Sequence, residues 1–444
     1  MPVTPQALPP DSSTTLDAPG AHADEAHTAA ARRRRALAGV MLCNVLEWYD
    51  FVIYGLLALY LSRAFFPEES PHTALLATLA VFGVSFVMRP LGGLVLGGFG
   101  DSRGRKPALL LAAGLMAAGT LAIGLIPSHE RIGPLAPVLL LAARMVQGFS
   151  AGGEWGIANA FLLESAPEGR RGFSTSFLSV SVALGSGLAS AVAALLAGTL
   201  PAESLAAGGW RFAFVLGGAL GVVALWLRTG IDETPAYRRA RAPAAAPLLQ
   251  RVGRPGLTLL GFTMHWTVCY YIFLVYMPLF TQQHAGLSAA EATWSNTICT
   301  AAIVLLVPLV GRLSDRYGRR PFLAASCLLV LVAVVPALWS VLAFPSFALV
   351  VGVQLLFGIA IALYSGPGPA VAAELFATSD RSRWSSVAYA VAAALFGGFA
   401  PFIAVWLTQA VDDPLAPAGY VIAAALTSLA VIRHMPETAH MPIR

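Results

Sequence analysis

Apolar runs long enough to cross a bilayer follow one another along almost the whole chain, and nothing else limits its folding so strongly. A spanning helix takes about 20 apolar residues. Windows of about 19 residues give twelve such runs, at 36–61, 73–99, 107–126, 135–163, 173–200, 210–229, 255–281, 291–310, 321–342, 346–375, 384–409 and 415–433. Within lipid each segment must satisfy its own backbone hydrogen bonds, so these runs are helices. The expected class is an all-α integral membrane protein with twelve transmembrane helices. Charged residues make up 11% of the chain, where a soluble domain has roughly 25%. The net charge of +5 does not imply nucleic acid, because the charges sit in short loops between apolar runs.

Those loops set the orientation. If both termini lie on the cytoplasmic side, that side holds 23 of the 28 basic residues, as the positive-inside rule requires. The opposite side holds Arg63, Arg131 and Arg211; Arg89 and Arg144 lie inside spans. The start of the chain, rich in Pro, Ser, Thr and Ala, reads as a disordered tail (1–35), with no apolar core of the kind a signal peptide carries near its start. A six-helix half (36–229), a Pro/Ala/Arg-rich linker (230–254), a second half (255–433) and a short tail (434–444) follow. Cys43, Cys269, Cys299 and Cys327 all fall within apolar runs, with no disulfide framework and no metal-ligand spacing. No cofactor is implied.

The first run carries Asn44, Glu47, Asp50 and Tyr54 on one broad helical face. Ionisable groups at membrane depth cost on the order of 2.5–3.5 kcal/mol each and persist where they face a cavity or a partner. At about 1.5 Å per residue, Glu47 lies roughly 16 Å in and Asp50 roughly 21 Å in, near the level of Arg144 on the fourth span. Two charge layers are expected. Asn44, Glu47, Asp50, Tyr54, Arg144 and Gln147 form a proton and substrate layer, and Arg89 with Glu154 forms an inner one. In the other half His265, Trp266, Tyr270 and Tyr364 are candidates for a substrate wall. Ser365 to Pro369 should loosen the tenth helix.

The halves repeat. Gly97-x3-Asp101-x2-Gly104-Arg105-Lys106 returns as Gly311-x3-Asp315-Arg316-x-Gly318-Arg319-Arg320, an offset of 214, and Glu164 with Arg171 returns as Glu374 with Arg381, an offset of 210. A duplicated six-helix unit, with a site at the midplane between halves, is the arrangement of one large transporter fold. Asp101, Arg105, Glu164, Arg171, Asp315, Arg319, Glu374 and Arg381 are read as a latch on the cytoplasmic side. Its carboxylates can accept from helix N-termini or forked guanidiniums.

These paired loops, with Leu140-x3-Arg144-x2-Gln147-Gly148, resemble the signatures of the major facilitator superfamily. Asn44-x2-Glu47-Trp48-Tyr49-Asp50-Phe51, Met88-Arg89-Pro90, the run Gln147 to Gly156, Asp232-Glu233-Thr234, Glu374-Leu375-Phe376 and Phe396-Gly397-Gly398 resemble its metabolite:proton symporter branch. Phe65-Phe66-Pro67 and Val223 to Arg228 are similar to the 2-oxoglutarate and citrate permeases of that branch. The first loop departs from the pattern with Ser102 in place of a basic residue; Arg103 can supply that charge.

The resemblance implies a monomeric carrier in a bacterial inner membrane, taking up a small di- or tricarboxylate with protons by alternating access. The alternative is symport of a zwitterionic osmolyte such as betaine or proline, or of a shikimate-like acid. A receptor or intramembrane enzyme is disfavoured, because the loops are too short for a signalling domain and the spans hold no Ser/His, metal or nucleotide constellation.

Overall fold

The computed structural model describes residues 41–103, 105–152, 154–164, 166–229, 248–376 and 381–441. The expected tail 1–35 and most of the linker 230–254 lie outside them. The described residues are mostly helical, with no strand among them, and form twelve long helices, straight or broken, beside the short helical segments His129–Ile132 and Ala202–Gly209, the latter leading across a bend into the helix Arg211–Thr229. They are α1 (Met41–Leu56 and Ala58–Phe65), α2 (Pro71–Arg103), α3 (Arg105–Leu125), α4 (Leu135–Ala151 and Glu154–Glu164), α5 (Arg171–Thr199) and α6 (Arg211–Thr229). The second half adds α7 (Leu248–Tyr271 continuing to Met277–His284), α8 (Ala289–Tyr317), α9 (Arg320–Ala343), α10 (Phe347–Ser365 and Gly368–Glu374), α11 (Arg381–Ala392 continuing to Ala400–Val411) and α12 (Pro417–His434). Among the described residues, by length and composition alone, seven helices are apolar enough to cross a membrane, or nine if two bent pairs each count as one span. α3 and the first part of α4 contribute shorter apolar helices.

Large apolar side chains stay exposed along the bundle, among them Leu125, Val138, Trp226, Leu305, Val332 and Trp406. Soluble monomers rarely expose contiguous apolar patches beyond a few hundred Å², so lipid is the solvent this surface fits. The polar interior is the inverse: Glu47, Asp50, Arg89 and Arg144 are buried.

Breaks concentrate in the helices that meet between the halves. α1 bends by 66° at Leu57, and α10 breaks at Gly366-Pro367, where the sequence predicts loosening. α7 and α11 each carry a wide π-type stretch, Ile272–Tyr276 and Ala393–Gly398. Irregular backbone at membrane depth survives only where protein or a cavity covers it. Across the interface α5 packs on α8, α2 on α11, and α4 on α10 and α11. Within the first half α2 and α4 touch backbone to backbone: a methyl group at Gly148 would overlap the Ser85 carbonyl oxygen, and one at Gly152 the Arg89 carbonyl oxygen. That close approach brings Arg89 and Arg144 into the interior together.

Candidate functional site

Two polar groups lie in the first half, divided differently from the sequence expectation. The Asp50 carboxylate on α1 accepts from Thr120 Oγ1 on α3 at 2.6 Å. Thr120 in turn accepts from Gln147 Nε2 at 2.8 Å, and Gln147 Oε1 accepts from Arg144 Nη1 at 2.8 Å. Arg144 Nη2 closes the chain on Ser85 Oγ at 3.1 Å. Asp50 and Arg144 are thus joined through two neutral side chains. The Arg144 guanidinium also lies 4.4 Å from the Tyr54 ring centre and 5.0 Å from that of Phe51. Asp50, Tyr54, Arg144 and Gln147 therefore come together as expected.

Glu47 and Asn44 do not join them. Glu47 Oε1 lies 3.4 Å from Arg89 Nη2, because a step of three residues turns it toward α2 while Asp50 faces α3. Asn44 is spent on packing, donating to Ser181 Oγ at 2.7 Å on α5. The inner layer is accordingly Arg89 with Glu47; the Glu154 side chain lies outside the described residues. Phe51 separates the two layers, its ring 4.3 Å from the Arg89 guanidinium and 5.0 Å from that of Arg144. Arg89 Nε and Nη2 make no hydrogen bond, nor do Asp50 Oδ1 and the Tyr271 hydroxyl.

Between the halves lies a cavity of only about 20 Å³, lined by Trp48, Trp155, Trp266, Tyr270, Tyr271 and Tyr389 with Ser179 and Ser365. Room for a single water takes about 10–15 Å³, so the centre is closed. Of the expected wall, Trp266 and Tyr270 line it. His265 and Tyr364 sit behind: His265 Nε2 meets Ser326 Oγ at 3.1 Å, and the Tyr364 hydroxyl donates to the Phe262 carbonyl at 2.7 Å. Both face the interior of the second half, where a buried polar group needs a partner. Trp48, Trp155 and Tyr389 complete the wall beyond the residues expected from sequence. The signal in the sequence is a glutamate followed by tryptophan in both the first and the fourth helix, Glu47-Trp48 and Glu154-Trp155. Thr120 and Ser85 carried no signal.

Toward one end a cavity of about 570 Å³ opens between the halves, lined by Arg63, Glu69, His72, Gln282 and Gln283 among others. At the other, basic end the residues expected to form the latch connect the halves. Asp315 on α8 accepts from the first backbone N–H groups of α5, Gly172 at 2.7 Å and Phe173 at 2.9 Å. Arg319 holds Asp315 at 2.8 Å and Glu374 at 3.4 Å, and Arg171 reaches Glu374 at 3.9 Å. Glu164 ends α4. The side chains of Asp101, Arg105 and Arg381 lie outside the described residues.

The latch has a part the sequence reading missed. Beyond α12, Glu437 accepts from the backbone N–H groups of Arg319 at 2.8 Å and Arg320 at 3.1 Å, and Thr438 donates to Glu374 at 2.6 Å. Burial opposes the charge on Glu437, yet the N–H groups of Arg319, Ala439 and Arg320 and the Arg319 guanidinium outweigh it and hold its carboxyl below the usual range. The signal was a third echo, Glu233-Thr234 after the sixth span and Glu437-Thr438 after the twelfth.

Two family models match, "Sugar (and other) transporter" over residues 37–246 and "Major Facilitator Superfamily" over residues 270–442. The chain is 37% identical to the alpha-ketoglutarate permease of Escherichia coli K12, over 87% of this chain and 90% of that one. It is 35% identical to the citrate-proton symporter of Klebsiella pneumoniae, over 90% and 91%. It is 33% identical to a glycine betaine/proline/ectoine/pipecolic acid transporter of Dickeya dadantii, over 93% and 85%. Among solved structures, the xylose transporter of E. coli in a partially occluded inward-open conformation superposes with a TM-score of 0.76 at 17% identity, over 93% of this chain and all (100%) of that one.

Proposed function

Because the chain belongs to the metabolite:proton symporter branch of the major facilitator superfamily, we propose that it carries a small organic acid into the cell together with protons, by alternating access. The observation that carries the reading is the buried Arg89–Glu47 pair at the edge of the central cavity, with two guanidinium nitrogens free of hydrogen bonds. A guanidinium held this way is a ready carboxylate receptor. While Glu47 is ionised it neutralises Arg89; once Glu47 takes a proton, Arg89 is released to a substrate carboxylate. Proton and anion thereby favour each other's binding, which is the coupling a symporter needs.

Asp50 is the second proton site. The Thr120 hydroxyl has one proton and two acceptors in reach, the Asp50 carboxylate at 2.6 Å and the Met116 carbonyl at 3.0 Å. An ionised Asp50 takes that proton; a protonated Asp50 donates to Thr120, which turns to Met116. The network accommodates both states without moving a helix, and Gln147 and Arg144 report the change across α4. Moving an anionic charge into a negative-inside cell costs about 2.3 kcal/mol per charge per 100 mV, and two protonatable carboxylates supply the compensating charge.

The basic end is taken as cytoplasmic on the loop-charge bias. The latch then closes the inside while the cavity lined by Arg63 and His72 faces outward. A zwitterionic osmolyte is the second reading, favoured by the aromatic lining, whose ring faces attract quaternary ammonium groups. The deciding experiment is uptake of labelled 2-oxoglutarate, citrate and betaine into proteoliposomes with an alkaline interior, for wild type and Asp50→Asn. Accumulation of an acid, lost in the variant, supports the proposal; accumulation of betaine alone overturns it.

A further inference from the structure

The central cavity restricts which acid fits. Its lining contains no charged side chain. The Arg89–Glu47 pair borders it, the Arg89 guanidinium lying 5.8 Å from the ring centre of Trp48 in its lining. Arg144 is set behind Phe51, with both Nη atoms occupied, by Gln147 and Ser85. One cation therefore serves the cavity, and the donors beside it that make no hydrogen bond, Arg89 Nε and the Tyr271 hydroxyl, with Arg89 Nη2 once Glu47 is protonated, suffice for one carboxylate.

The shape is as specific as the charge. Trp155 on α4 and Tyr389 on α11 come from opposite halves and stack face to face, centroids 4.0 Å apart and planes within 5°. Trp266 closes their edge, 6.4 Å from Trp155 and 5.9 Å from Tyr389. Parting the halves by about one ring thickness, 3.5–4.0 Å, turns this stack into a flat slot. A planar ring entering it restores both lost ring contacts; a bulky or flexible acid restores neither.

Resting on the organic-acid reading above, we propose that the substrate is a planar acid with a single carboxylate, an aromatic or heteroaromatic monocarboxylate. Its ring lies between Trp155 and Tyr389, and its carboxylate meets Arg89 and the Tyr271 hydroxyl. One proton, on Glu47, then balances the charge of one substrate.

The test is equilibrium binding of labelled 4-hydroxybenzoate to the purified full-length protein in lipid nanodiscs, with 2-oxoglutarate, citrate and betaine as competitors. Direct binding of labelled 2-oxoglutarate and betaine is measured alongside. Binding of 4-hydroxybenzoate that the competitors leave intact supports the slot. Tyr389→Leu then weakens it about tenfold, the worth of one good ring contact, while Tyr389→Phe restores it. Binding of 2-oxoglutarate without 4-hydroxybenzoate overturns the slot and leaves the acid reading standing. Binding of betaine alone overturns both. Binding of none of them, or equal binding by Tyr389→Leu and wild type, overturns the slot.

Discussion

Replacing Asp315 by Asn should unlock the basic end. The carboxylate bridges the halves through two backbone N–H groups at the start of α5, at 2.7 and 2.9 Å. Hydrogen bonds to a charged group contribute about 1.5–3 kcal/mol each, and a negative charge at a helix N-terminus about 0.3–1 kcal/mol more. Asparagine keeps one acceptor oxygen, so one bond and the charge are lost, about 2 kcal/mol. The Arg319 contact to Asp315 lies within one half and does not resist opening. At 1.4 kcal/mol per factor of ten, the ratio of latched to open molecules falls roughly 30-fold. Ser176 lies buried in the α5–α8 interface, so a Ser176→Cys reporter, with the four native cysteines replaced, reacts with a soluble maleimide only when that end opens. Its labelling rate should rise roughly 30-fold in Asp315→Asn. Arg171→Gln removes only a 3.9 Å, partly exposed pair and one bond to the Met441 carbonyl. It should raise the rate less than about fivefold, the worth of a surface pair. Equal rates in Asp315→Asn and the parent would refute the latch reading.

Other outcomes follow from the same geometry. Gly148→Leu forces α2 from α4 at the Ser85 carbonyl and should destabilise the fold by about 1–3 kcal/mol or more, read as a lower melting temperature in detergent; unchanged melting contradicts the packing account. His265→Gln should leave the pH profile of uptake unchanged while lowering thermal stability, because its partner is Ser326 rather than the cavity. Glu437→Gln should lower the melting temperature at neutral pH, because its bonds to the Arg319 and Arg320 N–H groups tie the end of the chain to α9. The folded-state pKa of Glu437 is depressed, so its contribution is complete above the ordinary glutamate value of about 4.3 and lost as the pH falls through the lower folded value. The gap between variant and wild type must therefore close in strong acid.

What the sequence disclosed depended on whether a property was periodic or three-dimensional. Span lengths, the loop-charge bias and the duplicated Asp-Gly-Arg loops depend on composition and spacing, and they led to the fold and to half of the latch. The grouping of Asp50 with Arg144 and Gln147 was also legible, since helix rise fixes depth. Rotation about the helix axis was not. Glu47 and Asp50 are one turn apart, yet one meets α2 and the other α3, and the side chain α1 presents to the cavity is Trp48. Thr120 and Tyr389 were invisible because a threonine or tyrosine in an apolar run is ordinary until its neighbours are known. His265 looked functional by residue type alone; its place behind the wall depends on α9 and α12, which the sequence of α7 cannot report.

The account turns on the claim that Glu47 couples proton to substrate through Arg89. The most direct measurement compares two modes of transport by Glu47→Gln in proteoliposomes, using the acid that wild type accumulates. A permanently neutral residue 47 leaves Arg89 able to hold the carboxylate, so exchange of labelled for unlabelled substrate at equal pH should persist. Accumulation driven by an alkaline interior should be lost. Accumulation at the wild-type level in Glu47→Gln would contradict the central claim, and would place coupling on Asp50 and its chain to Arg144 instead.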